Sequence, residues 1–367
     1  MTLHIFNPEH DIALASGLSN FTAPHAGRQL RHDLGFLPAL WAAPGDVVMV
    51  DDTEQAERQW RRLVNRLNAL QTGHCLTAAT PRFMGSGRAV RPADGLREVV
   101  GVDPWGWNSA LRALLLRRGV KEDVLPSPTG LDAIRQLSHR RVGASLLPRL
   151  RIEGTVGEQV ECYTVEQVVA LQQRYGHLVL KAPWSSSGRG LRFVNPQHAA
   201  GDEPFLAGWL RNLLLVQGSV MAEPYYNKVK DFGMEFYSDG DGHVSYLGLS
   251  LFHTANGAYT GNVLATEAAK RERLSRYLSP DLTDAVRQLI CRETAQAYKG
   301  LYRGPFGVDM MVVADHSQFL LHPCVEINLR RTMGHVALAL TPATGDQQCV
   351  MRITCSDNNY KLTITRR

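Results

Sequence analysis

The chain has 367 residues, of which 44% are hydrophobic, 20% charged and 8% aromatic, so disordered, collagen-like and coiled-coil proteins are excluded. Its 40 lysines and arginines barely exceed its 35 acids, and both signs are spread along the chain, which argues against a nucleic-acid-binding stripe. No apolar run approaches the roughly 18 residues of a membrane span. We therefore expect a folded protein of two or three packed units, with no nucleic-acid or membrane partner.

The first residues and the cysteines indicate the cellular compartment. The N-terminal sequence has no basic region before its first apolar run and meets an acid at Glu9, so it does not resemble a signal peptide. The six cysteines are scattered, without a Cys-x-x-Cys pair or a zinc-like cluster. We expect a cytoplasmic protein whose thiols are buried or incidental.

Strand and helix patterns alternate in the first third of the chain. Residues 3–6 and 46–50 are short apolar runs typical of buried strands. Apolar residues at helical spacing follow at 60–70, and a second helical pattern covers 110–116. This alternation predicts an N-terminal α/β domain at residues 1–125.

A cluster rich in proline and glycine at residues 126–130 marks the next boundary. The sequence beyond it predicts a helix at 131–147, and then a strand, a glycine-containing loop and a second strand at 178–194. Further strands are predicted at 219–222, 232–237, 244–251, 308–313 and 319–327. We expect an α+β arrangement of mostly antiparallel sheets, divided into a small domain at 126–218 and a large domain at 219–367.

The loop at residues 182–190, Ala-Pro-Trp-Ser-Ser-Ser-Gly-Arg-Gly, is suited to bind an anion. Its small residues let backbone N–H groups approach a phosphate closely, and Lys181 on the preceding strand supplies a positive charge. The loop matches neither a Walker A loop nor a Gly-x-Gly-x-x-Gly fingerprint. Taken alone, it also fits a structural hairpin turn beside a lysine. We expect Lys181 to face a ligand from outside the hydrophobic core.

A second group of polar residues lies on two otherwise apolar strands. Because side chains alternate along a strand, Glu326, Asn328 and Arg330 share one face. Asp309 lies in another apolar strand, where a lone carboxylate is costly to bury, and it supplies a third oxygen ligand if the two strands pair. Such oxygen donors suit Mg²⁺ bound to phosphate. The alternative is an exposed strand face with ordinary surface charges.

Three segments, taken in order, resemble the ATP-grasp superfamily. Residues 178–194 are similar to its phosphate-covering loop, in particular to the version in biotin carboxylase, and residues 220–236 resemble its hinge and the acidic strand that follows. Residues 307–309 and 325–330 resemble its pair of metal-binding strands. The resemblance spans roughly residues 135–340 and implies an ATP-grasp fold preceded by the N-terminal α/β domain.

The resemblance implies a role for each matching residue. Lys181 would contact the nucleotide phosphates, and Arg330 would stabilise the transferring phosphoryl group. Glu223 would meet the adenine edge and Asp231 the ribose. Arg141 is the best match to a basic residue at the start of the family's small domain, with arginine in place of the usual lysine. The remaining implied contacts are the loop residues Ser185, Ser186, Ser187, Gly188 and Gly190 and the Mg²⁺ ligands Asp309, Glu326 and Asn328.

The resemblance also implies ATP and Mg²⁺ as cofactors and a ligase activity. A substrate carboxylate would attack the γ-phosphate to give an acyl phosphate, and an amine would then displace phosphate to form an amide. Both partners would be small molecules, and a homodimer is an open option for assembly. Two alternatives stay open: a small-molecule kinase that uses the same nucleotide site, and a catalytically silent nucleotide-binding regulatory protein.

Three further segments each keep two interpretations. Residues 7–11, Asn-Pro-Glu-His-Asp, follow the first strand and suit either a ligand-binding loop or a helix cap with first-turn acids. The tryptophans at 104–108 suit a substrate wall or a helix anchor. Residues 253–262 suit a substrate or lid loop or a plain connector. The long span 309–326, which contains His-Pro at 322–323, predicts a bulge or a lengthened hairpin.

Overall fold

The computed structural model describes residues 1–70, 82–86, 96–185, 190–196, 200, 203–255, 258–342 and 348–366. These residues form four sheets of four strands each. Within the same ranges, no helix combines the length and the apolar composition that crossing a bilayer requires.

The N-terminal residues form a parallel sheet flanked by helices. Its strands are β1 (Thr2–Ile5), β2 (Val47–Val50), β3 (Arg82–Gly85) and β4 (Gly101–Pro104), in the order β3-β2-β1-β4. Its helices are α1 (His10–Ser16), α2 (His25–Leu34), α3 (Thr53–Leu70) and α4 (Ser109–Arg117). Strand β2 lies on one side of β1 and β4 lies on the other. The loops after β1 and β4 therefore flank the crevice where such sheets commonly bind ligands.

The predicted helices of this part are confirmed, with clear local causes. Strand β2 is buried at every position, as its continuous apolar run predicts. Helix α3 buries its apolar stripe, including Trp60 and Leu67, against the sheet side. Helix α4 begins after Asn108, whose side chain accepts a hydrogen bond from the Leu111 N–H at 2.9 Å. Trp105 packs edge-on against the Phe6 ring at 4.9 Å, which supports the anchor interpretation of this tryptophan.

The middle of the chain forms a small antiparallel sheet. It contains β5 (Val160–Cys162), β6 (Leu178–Lys181), β7 (Leu191–Val194) and β8 (Val220–Pro224), in the order β5-β8-β6-β7. The helices of this region are α5 (Pro128–Leu137), α6 (Arg141–Leu146), α7 (Val165–Tyr175) and α8 (Pro204–Gln217). Helices α7 and α8 pack with the sheet around a separate apolar core.

The single helix predicted at 131–147 is wrong, because the structure divides it into α5 and α6. The Ser138 hydroxyl donates to the Ile134 carbonyl at 2.7 Å at the end of α5. The Arg141 N–H then donates to His139 Nδ1 at 3.0 Å, which satisfies an N–H group at the start of α6. Local side-chain hydrogen bonds of this kind compete with a continuous helix.

The remainder of the chain forms two further antiparallel sheets. Its elements are β9 (Lys228–Ser238), β10 (Val244–Ser250), β11 (Phe252–Ala255), β12 (Ala258–Leu264), α9 (Glu267–Leu274), α10 (Pro280–Tyr298), β13 (Gly304–Asp315), β14 (Gln318–Asn328), α11 (Met333–Ala339), β15 (Cys349–Ser356) and β16 (Asn359–Arg366). One sheet has the order β10-β9-β13-β14 and the other β11-β12-β15-β16. The predicted class, a parallel α/β part followed by mostly antiparallel sheets, is confirmed, whereas the domain limits 1–125, 126–218 and 219–367 stay predictions.

The last two strands pack against the N-terminal helices. The Tyr360 N–H donates to Asp33 Oδ2 at 2.7 Å, and Arg66 Nε donates to the Ile364 carbonyl at 2.8 Å. Ile364 is buried in the same apolar core as Trp60 of α3. The β15–β16 hairpin therefore completes the core of the N-terminal part.

Candidate active site

Carboxylate and amide side chains form a row across the β10-β9-β13-β14 sheet, at the end of β14. Asp309 lies opposite Glu326, and Gly307 lies opposite Asn328. The Asn328 amide donates from Nδ2 to Asp309 Oδ2 at 3.0 Å. On the other side, Gly233 of β9 faces Asp309, and a Cβ there would lie 3.3 Å from Asp309 Oδ1. The structure thus brings the three predicted metal ligands together.

Strand β14 carries the predicted bulge directly beside this row. Asp309 pairs with Glu326, but the next paired residues are Met311 and His322, so β14 has two more residues in this interval than β13. Residues 323–325 therefore leave the regular ladder. As described below, the Val325 carbonyl accepts hydrogen bonds from Lys181 and Gln159.

The charge of this row fits a divalent cation. Burial, followed by the neighbouring Glu326 carboxylate, raises the pKa of Asp309 to about 7, despite its hydrogen bond from Asn328. A raised pKa means that nearby protein groups do not fully offset the negative charge of the Asp309 carboxylate. A hard cation held by carboxylate and amide oxygens would supply the missing positive charge. The donor chemistry of Asp309, Glu326 and Asn328 therefore fits Mg²⁺.

Lys181 and Glu223 form a buried ion pair on the facing small sheet. Lys181 Nζ lies 2.5 Å from Glu223 Oε1, and both residues are about 5% exposed. Lys181 Nζ also donates to the Val325 carbonyl at 3.3 Å, and Gln159 Nε2 donates to Glu223 Oε2 and to Val325 O. The expectation that Lys181 lies outside the core is therefore wrong: the pair is packed between the small sheet and the bulge of β14.

The Glu223 carboxyl has an unfavourable environment for ionisation despite this lysine. Burial raises the pKa of Glu223, and the opposing effects of Lys181, Arg140 and Gln159 do not fully offset it. An ion pair at such a position depends on both of its members, because either charge alone would be buried without compensation.

Arg330 faces the metal-ligand row and is held from the N-terminal part of the chain. Its guanidinium donates to both carboxylate oxygens of Asp11, with Nη2 to Oδ2 at 2.7 Å and Nε to Oδ1 at 2.9 Å. Arg330 Nη2 also donates to Asn328 Oδ1 at 3.0 Å. Burial alone would raise the pKa of Asp11, but the Arg330 charge and hydrogen bonds outweigh it and hold that pKa below its ordinary value.

Arg140, and not the predicted Arg141, enters this site. Arg140 donates from Nη1 to Ser185 Oγ at 2.9 Å and from Nη2 to Glu326 Oε1 at 2.7 Å, and it also contacts the Ala182 carbonyl. The Arg141 guanidinium is 45% exposed and lies 3.7 Å from Glu161. Arg140 immediately precedes α6, whereas Arg141 is its first residue, so the two side chains point in different directions.

Replacing these neighbouring arginines separates their roles. We expect Arg140→Ala to weaken binding of MgADP by about tenfold, because a charged donor to the loop and to the metal-ligand row is lost. Arg141→Ala is the matched control and should change the affinity by less than about twofold, because its half-exposed side chain pairs with Glu161 and not with the loop or the metal-ligand row. Calorimetric titration of both variants tests this. Equal losses in the two variants would contradict the assignment.

The other predicted nucleotide contacts divide into three groups. Ser185 and Gly190 lie at the start and end of the loop, where the Ala182 N–H donates to the Gly190 carbonyl at 2.9 Å. Ser186, Ser187 and Gly188 lie outside the described residues. Asp231 lies on the same face of β9 as Gly233, but its carboxylate is engaged by Lys228 Nζ at 2.6 Å and Thr254 Oγ1 at 2.7 Å. The role of Asp231 toward a ribose stays a prediction.

A narrow cleft joins these groups. It is lined by Asp11, Ser138, Arg140, Pro183, Trp184, Ser185 and residues 326–329. The cleft thus brings together the N-terminal loop, the small-sheet loop and the metal-ligand row. The indole of Trp184 is fixed beneath the loop by a hydrogen bond from Nε1 to the Arg135 carbonyl at 3.0 Å and by the Arg135 guanidinium 4.2 Å from its ring centre.

The buried carboxyl group of Glu235 lies behind the metal-ligand row. Burial, and then the Asp309 charge, raise the pKa of Glu235 to about 8. Its Oε2 lies 3.0 Å from His335 Nδ1, which also accepts a hydrogen bond from the Thr332 N–H and therefore carries no proton. The Thr332 hydroxyl donates to the same Glu235 oxygen at 2.9 Å. Gly334 makes the approach possible, because a Cβ there would overlap Glu235 Oε1.

This acid gives the fold a measurable pH dependence. The folded pKa of Glu235 is about 8 and its ordinary value 4.5, so the folded protein holds a proton that the unfolded chain releases between these pH values. The free energy of unfolding should therefore fall by up to about 1.4 kcal/mol per pH unit across this range. Glu235→Gln removes the titrating group at nearly unchanged volume and should flatten the decline, whereas Glu54→Gln, at an exposed site, should not. The prediction would be contradicted if the free energies of unfolding of the wild type and of Glu235→Gln, measured with urea at pH 5 to 8, changed in parallel with pH.

Sequence reasoning missed four residues of this site. Arg140 was overlooked because two adjacent arginines look alike without the start of α6. Asp11 was singled out within residues 7–11 but received no partner, and a contact across 319 residues leaves no local signal. Gln159 lies outside the motifs and is placed here by its hydrogen bond to Glu223, whereas Glu235 lies within the segment 220–236 but received no role.

Comparisons with known proteins identify the fold. No protein-family model and no curated protein matches the sequence. Among solved structures, biotin carboxylase from Campylobacter jejuni, a β-γ-ATP complex, aligns with 97% of this chain and 76% of its own, at a TM-score of 0.54 and 14% identity. The biotin carboxylase domain of Hydrogenobacter thermophilus 2-oxoglutarate carboxylase, a dimer with MgADP, ADP and bicarbonate, aligns over 97% and 75%, at 0.53 and 14%.

These similarities are too distant to transfer an activity, but they cover almost the whole chain. The span aligned with the Campylobacter jejuni enzyme covers 97% of the chain that carries these four sheets. The chain has the ATP-grasp fold, as its three ordered motifs predicted.

Proposed function

We propose that the protein is an ATP- and Mg²⁺-dependent ligase that joins a small-molecule carboxylate to an amine through an acyl phosphate. The observation that supports this most is the row of Asp309, Glu326 and Asn328 beside the cleft, to which Arg140 donates at Glu326 and Arg330 donates at Asn328. Two guanidinium groups beside three hard oxygen donors suit the transfer of a phosphoryl group. The molecules bound in the two biotin carboxylase structures, a β-γ-ATP in one and MgADP, ADP and bicarbonate in the other, are consistent with this proposal.

In the first step, a carboxylate oxygen forms a bond to the γ-phosphorus, and the bond between that phosphorus and the β-γ bridging oxygen breaks. The electron pair leaves with ADP. Arg330 and Arg140 would oppose the negative charge on the phosphoryl oxygens, and Lys181 would contact the phosphates that remain on ADP. Because these groups are already fixed by Asp11, Ser185 and Glu223, little reorganisation is needed during the transfer.

In the second step, the amine nitrogen attacks the acyl carbon and phosphate leaves with the C–O electron pair. The nitrogen loses a proton to phosphate or to solvent. Because the amine itself attacks the acyl phosphate, no protein nucleophile is required. Asp309, Glu326 and Asn328 would hold Mg²⁺, which when bound offsets the charge of the nucleotide phosphates.

Hydroxylamine tests this proposal without knowledge of the natural amine. The enzyme is incubated with MgATP, hydroxylamine and a panel of small carboxylates, and both ADP and hydroxamate are measured. A ligase should produce the two in equal amounts with an accepted carboxylate, because hydroxylamine traps an acyl phosphate. Bicarbonate is assayed by ADP release alone, since its acyl phosphate decomposes.

The alternatives give different results in the same assay. A kinase would release ADP only with hydroxyl acceptors and yield no hydroxamate, and a silent regulatory protein would bind nucleotide without releasing ADP. Either result would overturn the ligase proposal. A cytoplasmic location, homodimer formation and the lack of nucleic-acid or membrane partners stay predictions from the sequence.

A further inference from the structure

The loop after β1 is fixed to the loop after β4 at the crevice of the parallel sheet. Asn7 Nδ2 donates to the Gly106 carbonyl at 2.8 Å, and the Gly106 N–H donates to Asn7 Oδ1 at 3.3 Å. His10 packs against Gly106, where a Cβ would lie 2.6 Å from its ring, and its Nδ1 lies 3.4 Å from Asn108 Nδ2. Asn7, His10 and Asn108 are each less than 5% exposed. These contacts fix the direction in which the next residue, Asp11, projects.

Asp11 projects out of the N-terminal part and binds Arg330. Three hydrogen bonds join the two side chains, at 2.7, 2.9 and 3.0 Å. Both side chains are about 15% exposed, so the pair is largely shielded from solvent. Among the described residues, Asp11 is the only acid that hydrogen-bonds Arg330. Such a bidentate arrangement fixes the plane of the guanidinium as well as its position.

The position of Arg330 matters because other acids compete for it. The carboxylates of Glu326 and Asp309 both interact electrostatically with Arg330. Arg330 is also linked to Asp309 through Asn328, which accepts from the arginine and donates to the aspartate. Without Asp11, the strongest remaining attraction on the guanidinium is toward the metal-ligand row. Arg330 would then turn toward that row instead of facing the phosphoryl group.

We infer that Asp11 is a positioning residue for phosphoryl transfer, which aims Arg330 at the transferring group and keeps it away from Asp309 and Glu326. This inference rests on the proposed function. It assigns a role to residues 7–11, for which the sequence left two interpretations. It also makes the N-terminal parallel sheet part of the catalytic apparatus, although Asp11 itself touches no reacting atom.

The test measures binding of a phosphoryl-transfer mimic and needs no substrate. Aluminium fluoride with MgADP imitates a phosphoryl group in transit, and such mimics bind tightly only where the transition state is stabilised. We compare the affinity for MgADP with and without aluminium fluoride in the full-length protein. In Asp11→Asn, the tightening caused by aluminium fluoride should fall about 100-fold, while the affinity for MgADP alone changes by less than about threefold.

Two further variants separate positioning from general stability. Glu9→Gln is the matched control, because Glu9 lies in the same loop but pairs with Arg31 at 2.6 Å; it should retain the full tightening. In an Arg330→Lys background, Asp11→Asn should cause no further loss, because a residue that acts through Arg330 has no effect once that arginine is gone. Thermal melting confirms that each variant is folded. If Asp11→Asn does not fold, Asp11→Glu, which keeps the charge, replaces it in the test.

Each outcome has a distinct meaning. The inference is supported if Asp11→Asn selectively loses the tightening and if the same substitution causes no further loss in the Arg330→Lys background. Full tightening in Asp11→Asn, or an equal loss of affinity for MgADP with and without aluminium fluoride, overturns it. If the wild-type protein shows no tightening at all, the proposed function fails first, and this inference fails with it.

Discussion

Glu326→Gln is expected to lower turnover about 100- to 1,000-fold while changing the affinity for MgADP less than about threefold. The glutamine is nearly isosteric and can still accept the hydrogen bond from Arg140, so the local structure should persist. What it removes is one of the two carboxylates that face each other on β13 and β14. That negative charge is needed most when a cation must stay in place as the phosphoryl group moves. ADP release with an accepted carboxylate, measured beside calorimetric titration of MgADP, checks the prediction.

Two comparisons sharpen this result. Asn328→Ala removes an uncharged oxygen ligand, and its turnover should partly recover when the Mg²⁺ concentration is raised. The turnover of Glu326→Gln should scarcely change with added Mg²⁺. Glu293→Gln on α10 removes a carboxylate that pairs with Arg149 and Arg292 outside the cleft, and it should behave as wild type. The assignment would be refuted if Glu326→Gln weakened MgADP binding as strongly as turnover, because the residue would then serve only to bind nucleotide.

Lys181→Ala is expected to cost about 3 to 5 kcal/mol of the free energy of unfolding, in addition to weakening nucleotide binding. The sequence alone placed this lysine outside the hydrophobic core, where its removal would not affect stability. The structure buries Lys181 against Glu223 at 2.5 Å, so the substitution leaves a buried carboxylate without its partner. Because burial already raises the pKa of Glu223, the variant should be less destabilised at pH 5 than at pH 8, where the group must ionise or retain a costly proton. Urea unfolding at both pH values provides the measurement.

A double variant distinguishes the two effects of this lysine. Lys181→Met with Glu223→Gln replaces the ion pair by neutral side chains of similar size and should recover most of the stability. It should not recover nucleotide affinity, since no positive charge returns to the phosphate site. If Lys181→Ala melts like the wild type, the buried pair contributes little to the fold. If the double variant binds nucleotide normally, Lys181 has no role toward phosphate.

The sequence predicted the fold class well because strand and helix patterns are local. The continuous apolar run of β2 and the stripe of α3 determine their own burial, and a breaker cluster marks the passage to the antiparallel part. The predicted helix at 131–147 was wrong because side-chain hydrogen bonds at Ser138 and His139 divide it. The periodicity of apolar residues contains no information about such bonds. The bulge of β14 was predictable because proline at residue 323 cannot donate to a ladder.

The site was less predictable, since its geometry depends on contacts between distant segments. Alternation along one strand placed Glu326 and Asn328 on one face, and the pairing of β13 then brought Asp309 to them. Alternation says nothing about what faces that row. The choice of Arg140 over its neighbour depends on where α6 begins. The contact of Asp11 with Arg330 depends on how the parallel sheet docks, which no local pattern encodes.

The β15–β16 hairpin has a consequence for how the chain folds. Arg66 and Ile364 are joined by a hydrogen bond over 298 residues, and the apolar core around Trp60 includes side chains from both ends of this stretch. During synthesis, the N-terminal sheet therefore emerges from the ribosome long before the strands that cover it. Contacts of such high sequence separation slow folding and leave apolar surface open to aggregation in the meantime. We expect nascent chains that end before residue 349 to need chaperone protection, and deletion of the hairpin to unfold the N-terminal sheet rather than only shorten the protein.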